Sequence, residues 1–496
     1  MKKVFGLLLI IGLLVFAQAG IATAPATTST GVKNVILIIG DGMGFAHVQL
    51  TKLVYGHLNM EDFPYTGFEL TYSLSGEVTD SAAAATALAT GMKTYNGMIS
   101  TVTNGDKVYN LTTLLELAQF LGKSTGLVTT TRITHATPAA FGAHVEDRDM
   151  EAEIAKQLIE HKINVLFGGG KKKFDDATLE LAKQYGYEVI FDKEGLEKAS
   201  GEYVLGLFAY SHIPYVLDRS ESDVGLLDMT KKAIELLERN PNGFFLMIEA
   251  GRIDHASHGN DIVATLAETK ELDDVVGYVL EYAKKRGDTL VVVTGDHETG
   301  GLAVGINYGS VVDVNKILSI KKSTSFMAAE IKNGGDIKEV VKKYTGIELS
   351  DEEVEYIKQM DQENPIFGLS NALGEIISKK VGVTFASHKH TGEPVPLLAY
   401  GPGADNFVGF HHHIQTSKLI AKLMIFGVPR VNILFEGTSS AKGDLNGDYR
   451  VDEKDAYIAL MVLLGEKVDS ELEERADLDN NGIIDLHDVM LILQEA

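Results

Sequence analysis

The sequence predicts an α/β fold: a large, mostly parallel central sheet flanked by helices, followed by a small all-α domain. Three observations predict it. Residues 35–39, 244–248 and 290–293 are unbroken apolar runs, the pattern of strands buried on both faces of a parallel sheet. Stretches of helical pattern separate them, as parallel strands need crossover connections. Residues 443–496 then carry 15 acidic and four basic side chains, nearly half the excess behind the net charge of −24.

The 496 residues exceed one ordinary domain but suffice for one large core plus a module. The strongly acidic balance argues against nucleic acid or an anionic membrane as partner. There is no cysteine, which excludes disulfides and thiolate metal sites.

Met1-Lys2-Lys3, an apolar run over 4–16 and Ala17-Gln18-Ala19 make a secretory signal cleaved after Ala19, so the protein is expected to be secreted or at the cell surface. Residues 20–31, rich in Ala, Thr and Ser, read as a linker. The main domain is expected over 32–434. Its first strand, 35–39, delivers Asp41 through Gly40. The alanine-rich stretch from Ser81 to Gly91 reads as a helix that starts at Ser81 and stops at the glycine. A serine there sits among unpaired N–H groups at the positive end of the helix dipole, an anion site where a hydroxyl can become a nucleophile.

Further along, 111–121 reads as a helix and 124–130 as a strand, followed by His135, Thr137, His144 and Arg148. A helix over 151–161 and a strand over 164–167 come next. Gly168-Gly169-Gly170 lacks the signature of a phosphate loop and reads as a strand-end turn. Strand 244–248 ends in Glu249, and Asp254 and His258 share one helical face four residues apart. Strand 290–293 leads to Asp296-His297. Residues 322–380 read as a helical insertion beside the active face. His390 follows it, and His411-His412-His413 reads as solvated surface opening a last core helix over 414–425.

Three buried strands thus end in Asp41, Glu249 and Asp296-His297, and in open α/β sheets the functional crevice lies at those ends. Oxygen and imidazole ligands without cysteine suit zinc and magnesium. GDGMG with Asp41, DSAAAAT with Ser81, HATPAA with Arg148, EAGRIDHASH, GDHETGG and HKHTG occur in this order from about residue 33 to 425. Together they resemble the alkaline phosphatases.

The resemblance implies a metal-dependent phosphomonoesterase with two zinc ions and one magnesium. Asp254, His258 and His390 would hold the first zinc, and Asp41, Asp296, His297 and Ser81 the second. Asp41, Thr137 and Glu249 would hold the third ion. Ser81 would be the nucleophile of a phosphoserine route, and Arg148 would clamp phosphate with its planar fork. The best-studied bacterial members carry Asp and Lys where this chain has His135 and His255, which face the substrate. An imidazole there could favour another divalent metal at the third site. Relatives are commonly homodimers.

After a linker at 435–442, residues 443–496 contain two twelve-residue loops. Asp444, Asn446, Asp448, Asp452 and Asp455 occupy places one, three, five, nine and twelve of the first. Asp477, Asp479, Asn481, Asp485 and Asp488 do so in the second. This is calcium-loop spacing, and each loop leads into an apolar helix. The duplicated loops resemble dockerin modules, which implies calcium and a cohesin-type partner; a calcium-stabilised appendage without a partner is the alternative. Two rival functions are a phosphodiesterase or sulfatase of the same superfamily, and a non-catalytic surface scaffold acting through the tail.

Overall fold

Ten strands form one sheet in the computed structural model, which describes residues 32–427, 441–465, 468 and 470–496. The signal over 1–19, the linker over 20–31 and residues 428–440 lie outside the described residues. In chain order the strands are β1 (Asn34–Gly40), β2 (Tyr65–Leu70), β3 (Ser124–Arg132), β4 (Val165–Gly169) and β5 (Tyr187–Ile190). Then come β6 (Tyr203–Leu207), β7 (Phe244–Ala250), β8 (Thr289–Gly295), β9 (Val395–Tyr400) and β10 (Gly409–His412). Their spatial order is β10-β2-β9-β8-β1-β7-β3-β4-β6-β5. Only β9 runs antiparallel to its neighbours, β8 and β2.

The three apolar runs are the centre of this sheet. β1 lies between β8 and β7, parallel to both, and every residue of the three is buried. Each buried Val, Leu, Ile or Phe stabilises the fold by roughly 1.5–3 kcal/mol, so helices on both faces are required. The register brings the carboxyl ends of the three strands level: Gly40 pairs with Gly295, and Ile39 with Glu249. The strands extend past their apolar runs, so Glu249 belongs to β7 rather than to a loop after it.

The helix over Ser81–Thr90 is buried on all sides, and Gly91 closes it in the left-handed region at φ 73°. Its N-cap is Asp80, whose side chain accepts from the amide of Ala83, so Ser81 is the first helical residue. The 111–121 stretch is helical only over Leu114–Phe120, because Thr113 and Glu116 close a capping box that starts it late. Two of the three glycines after 167 are in β4. A Cβ on Gly169 would stand 2.0 Å from the Ser211 carbonyl oxygen, so the glycine serves close packing.

The insertion folds as four helices, Thr324–Lys332, Ile337–Thr345, Asp351–Glu363 and Gly368–Lys380, the third capped reciprocally by Ser350 and Glu353. The histidine triplet departs from expectation. His412 caps the helix His413–Phe426 and is buried, and His413 is fully buried with Nε2 3.1 Å from the Gly295 carbonyl oxygen. The last helix must pack on the sheet, and its first turn goes under with it.

The tail has helices Glu453–Leu463, Ser470–Ala476 and Leu486–Glu495. It packs against the main domain. Phe426 meets Tyr457 edge-on at 5.1 Å between ring centroids, and Ile420, Leu117, Leu460 and Ile492 belong to one continuous apolar core. The helix Leu486–Glu495 meets the helix Leu114–Phe120 across the seam.

Candidate active site

β1, β7 and β8 deliver Asp41, Glu249 and Asp296 side by side at their carboxyl ends, all fully buried. Asp296 Oδ1 accepts from the amides of Gly42 and His297. Glu249 Oε2 accepts from the hydroxyls of Thr129 and Thr131. Yet both oxygens of Asp41, Oε1 of Glu249 and Oδ2 of Asp296 have no hydrogen-bond donor. Buried acceptors without a donor are costly. Burial, reinforced by the neighbouring carboxylates, pushes the Asp41 carboxyl well up and that of Asp296 up to about 7. Three carboxylates cannot all ionise here unless positive charge joins them.

The imidazoles give the same message. His258 Nδ1 lies 2.7 Å from the His388 carbonyl oxygen, and His390 Nδ1 lies 2.9 Å from that of Thr79. A carbonyl only accepts, so both Nδ1 atoms carry the proton. Their Nε2 atoms then face each other at 3.2 Å, beside Asp254 Oδ1 at 3.3 and 3.5 Å. Carbonyl-anchored imidazoles turned toward a carboxylate are the usual outer bracing of a metal site. Donor atoms of Asp254, His258 and His390 converge, as do those of Asp41, Asp254 and His297, and those of Asp41, His135 and Glu249. The residues present therefore fit divalent ions.

Ser81 Oγ is 3.3 Å from His297 Nε2. The two lie 216 residues apart in the chain. Arg148 Nη1 donates to Asp80 Oδ2 at 2.9 Å, and its Nη2 lies 3.3 Å from His135 Nε2. Thr137 is buried, and its hydroxyl makes no hydrogen bond of ordinary geometry. His135 and His255 stand 5.6 Å apart, ring to ring. Burial and then Arg252 hold the His255 imidazole neutral, with its pKa lowered to about 3.

Residues 32–426 match the family model described as alkaline phosphatase. The chain belongs to the alkaline phosphatase family. Alkaline phosphatase 4 of Bacillus subtilis is 38% identical over 425 residues, covering 82% of this chain and 92% of that one. The crystal structure of a cold-active alkaline phosphatase from a psychrophilic Shewanella superposes with a TM-score of 0.73 at 32% identity, over 80% of this chain and all of that one. A histidine-to-glutamate variant of the TAB5 alkaline phosphatase, with magnesium bound in its M3 site, gives a TM-score of 0.60 at 29% identity, over 80% and 99% of the two chains.

As an alkaline phosphatase the chain is a phosphoric monoester hydrolase. Within that family framework, two residues were not singled out by sequence reasoning. Asp80 caps the Ser81 helix, pairs with Arg148 and accepts from the Gly97 amide. A cap aspartate before a serine has too common a signature to be noticed. His212 stacks edge-on with His255 at 4.5 Å and His135 at 5.8 Å. No motif surrounds it; only the fold brings it in.

Proposed function

We propose that this site hydrolyses phosphate monoesters through a phosphoserine formed on Ser81. The observation that carries the reading is the ring of buried, donorless oxygens of Asp41, Glu249 and Asp296 beside Ser81 and Arg148. Asp254, His258 and His390 would hold one zinc. Asp41, Asp296 and His297, with the Ser81 oxygen, would hold a second. Asp41, Thr137 and Glu249 would hold magnesium or another divalent ion, with His135 beside them. When bound, such ions supply Lewis-acid charge and lower the pKa of the oxygens they touch.

The protein's own residues then do the positioning, which is most of what phosphoryl transfer needs. Ser81 stands in the first turn of its helix, where backbone N–H groups and the dipole favour a dianion. Arg148, steadied by Asp80, offers its fork to two phosphate oxygens. His135 and His255, held neutral by burial and nearby arginines, line the same approach. The Ser81 oxygen attacks phosphorus opposite the ester oxygen. The new P–O bond forms as the old one breaks, and the departing alcohol takes a proton. Water then displaces the serine oxygen, releasing phosphate and restoring the hydroxyl.

The leader over 1–19 supports an exported enzyme. In the tail, calcium in the loops 444–455 and 477–488 is supported by their spacing and by the convergence of Asp477, Asp479 and Asp488. The dockerin resemblance adds a cohesin-type partner, and the family resemblance a homodimer. One assay tests the central reading: phosphomonoester, phosphodiester and sulfate-ester hydrolysis side by side, with and without zinc and magnesium. Monoester turnover should dominate and should need the metals. Faster diester or sulfate-ester turnover would overturn it.

A further inference from the structure

Away from the strand ends, three helices bring a second set of electron-pair donors together. Glu116 lies in the helix Leu114–Phe120, His144 just after the helix Ala136–Gly142, and His161 at the end of the helix Glu151–Glu160. One oxygen of Glu116 and one nitrogen of each ring lie within 4.8 Å of one another. All three residues are half-buried, and the Glu116 side chain is 27% exposed against 8% for that of His144.

The hydrogen bonds around them set which atoms are free. His144 Nδ1 lies 2.9 Å from the Ser100 carbonyl oxygen and must carry the proton. Its Nε2 therefore turns a lone pair toward Glu116 Oε1 at 3.0 Å, unless a second proton or a cation lies between. Glu116 Oε2 is already engaged by the Thr113 amide. His161 Nδ1 is buried with no hydrogen-bond partner. A proton on His144 would satisfy that ring and Glu116 but would leave His161 unsatisfied. A cation shared by all three would give each residue a partner.

We propose that Glu116, His144 and His161 form a zinc site that pins these three helices together, separate from the active-site cluster and sharing no residue with it. Two imidazoles and a carboxylate, with no thiolate, are a zinc donor set, and a water completes four-coordination. The carbonyl behind His144 is the bracing such ligands ordinarily have. The site also bears on substrate. His144 begins the segment that pairs Val145 with Ile99, anchors the Arg148 amide on the Gly97 carbonyl and so presents the Arg148 side chain.

The test uses the full-length enzyme dialysed against low-micromolar zinc, followed by elemental analysis. The parent should hold one zinc per chain more than His161→Ala and one more than His144→Ala. Both variants should keep kcat within a few-fold while KM for a phosphomonoester rises. Crystals of the parent should also show zinc-edge anomalous density between the three side chains, a readout that needs no variant to fold. Equal zinc content in parent and variants, or density at the strand-end site with none here, overturns the proposal. So does uptake at this site only in millimolar zinc.

Discussion

In the tail, Asp444 accepts from the amides of Gly447 and Tyr449, and Asp455 from those of Leu445, Asn446 and Asp452. At the ends of β1 and β8, Asp41 accepts from no donor and Asp296 through one oxygen only. The tail's carboxylates are shaped by the turns they sit in. The Tyr449 backbone, at φ 71° in the sixth place of its loop, and Gly482 at φ 78° in the same place of the second, show the same bend. Those of the core are shaped by strands and left bare. Local acidic loops can therefore hold their form through backbone amides, whereas the core cluster depends on charge that the chain does not supply.

Four experiments can break or sharpen this contrast. The largest effect belongs to Ser81→Ala, which should lower kcat by roughly 10⁴–10⁶-fold, the scale on which nucleophiles matter. Metal content should stay unchanged, because Asp41, Asp296 and His297 remain. Near-parental turnover with full zinc content would exclude the covalent route. Next, Arg148→Ala removes a charge-assisted fork, which should weaken inhibition by inorganic phosphate about 10–100-fold. Unchanged inhibition would show that Arg148 does not grip phosphate.

A third experiment probes a buried, hydrogen-bonded carboxyl group outside the proposed ligand sets. Burial raises the Glu69 carboxyl to about 7, against the hydrogen bonds from Thr294 and Thr416. Its other titratable neighbour, His413, is kept neutral by burial. A group whose pKa is raised on folding contributes stability that is complete below its unfolded pKa and lost as pH rises through the folded one. Urea titrations should therefore show the parent losing up to about 3 kcal/mol between roughly pH 4.5 and 7 through this group. Glu69→Gln should flatten that window. An unchanged pH profile would mean that Glu69 is ionised throughout.

The smallest effect on catalysis should come from the tail. Ending the chain after residue 427 removes the Phe426–Tyr457 contact and the packing of Leu486–Glu495 on Leu114–Phe120, but no residue of the strand-end cluster. Turnover should stay within about twofold while the melting temperature falls by a few degrees. Calcium at a hundred times its Kd should stabilise the intact chain by about 2.7 kcal/mol per site. A melting temperature insensitive to calcium would remove the calcium reading, and loss of turnover on truncation would make the tail part of the catalytic unit.

The central strands were legible because their residues are apolar without interruption, a pattern few other structures impose. The strand-end acids were legible because glycines and aspartates come directly after those runs. The two tail loops were legible because their geometry is local. Spatial order was not: that β1 lies between β7 and β8 is a result of tertiary packing, and only the family resemblance set His297 and Ser81 at one site. The burial of His412 and His413 escaped for the same reason, since three consecutive histidines carry no periodicity. The docking of the tail was equally hidden, because the apolar faces of Glu453–Leu463 and Leu486–Glu495 do not name their partner.

The register that pairs Gly40 with Gly295 and Ile39 with Glu249 makes the sheet a ruler. Neighbouring strands stand about 4.8 Å apart, so the spacing of the acids across β8, β1 and β7 is fixed by backbone hydrogen bonds and not by side-chain length. The acids can be exchanged for others of similar reach and the spacing survives. Deleting a single residue within β1 would advance Asp41 by about 3.3 Å and turn the following side chains to the opposite face. Such a chain could keep every acid and histidine of the cluster and still be unable to gather them around one phosphate.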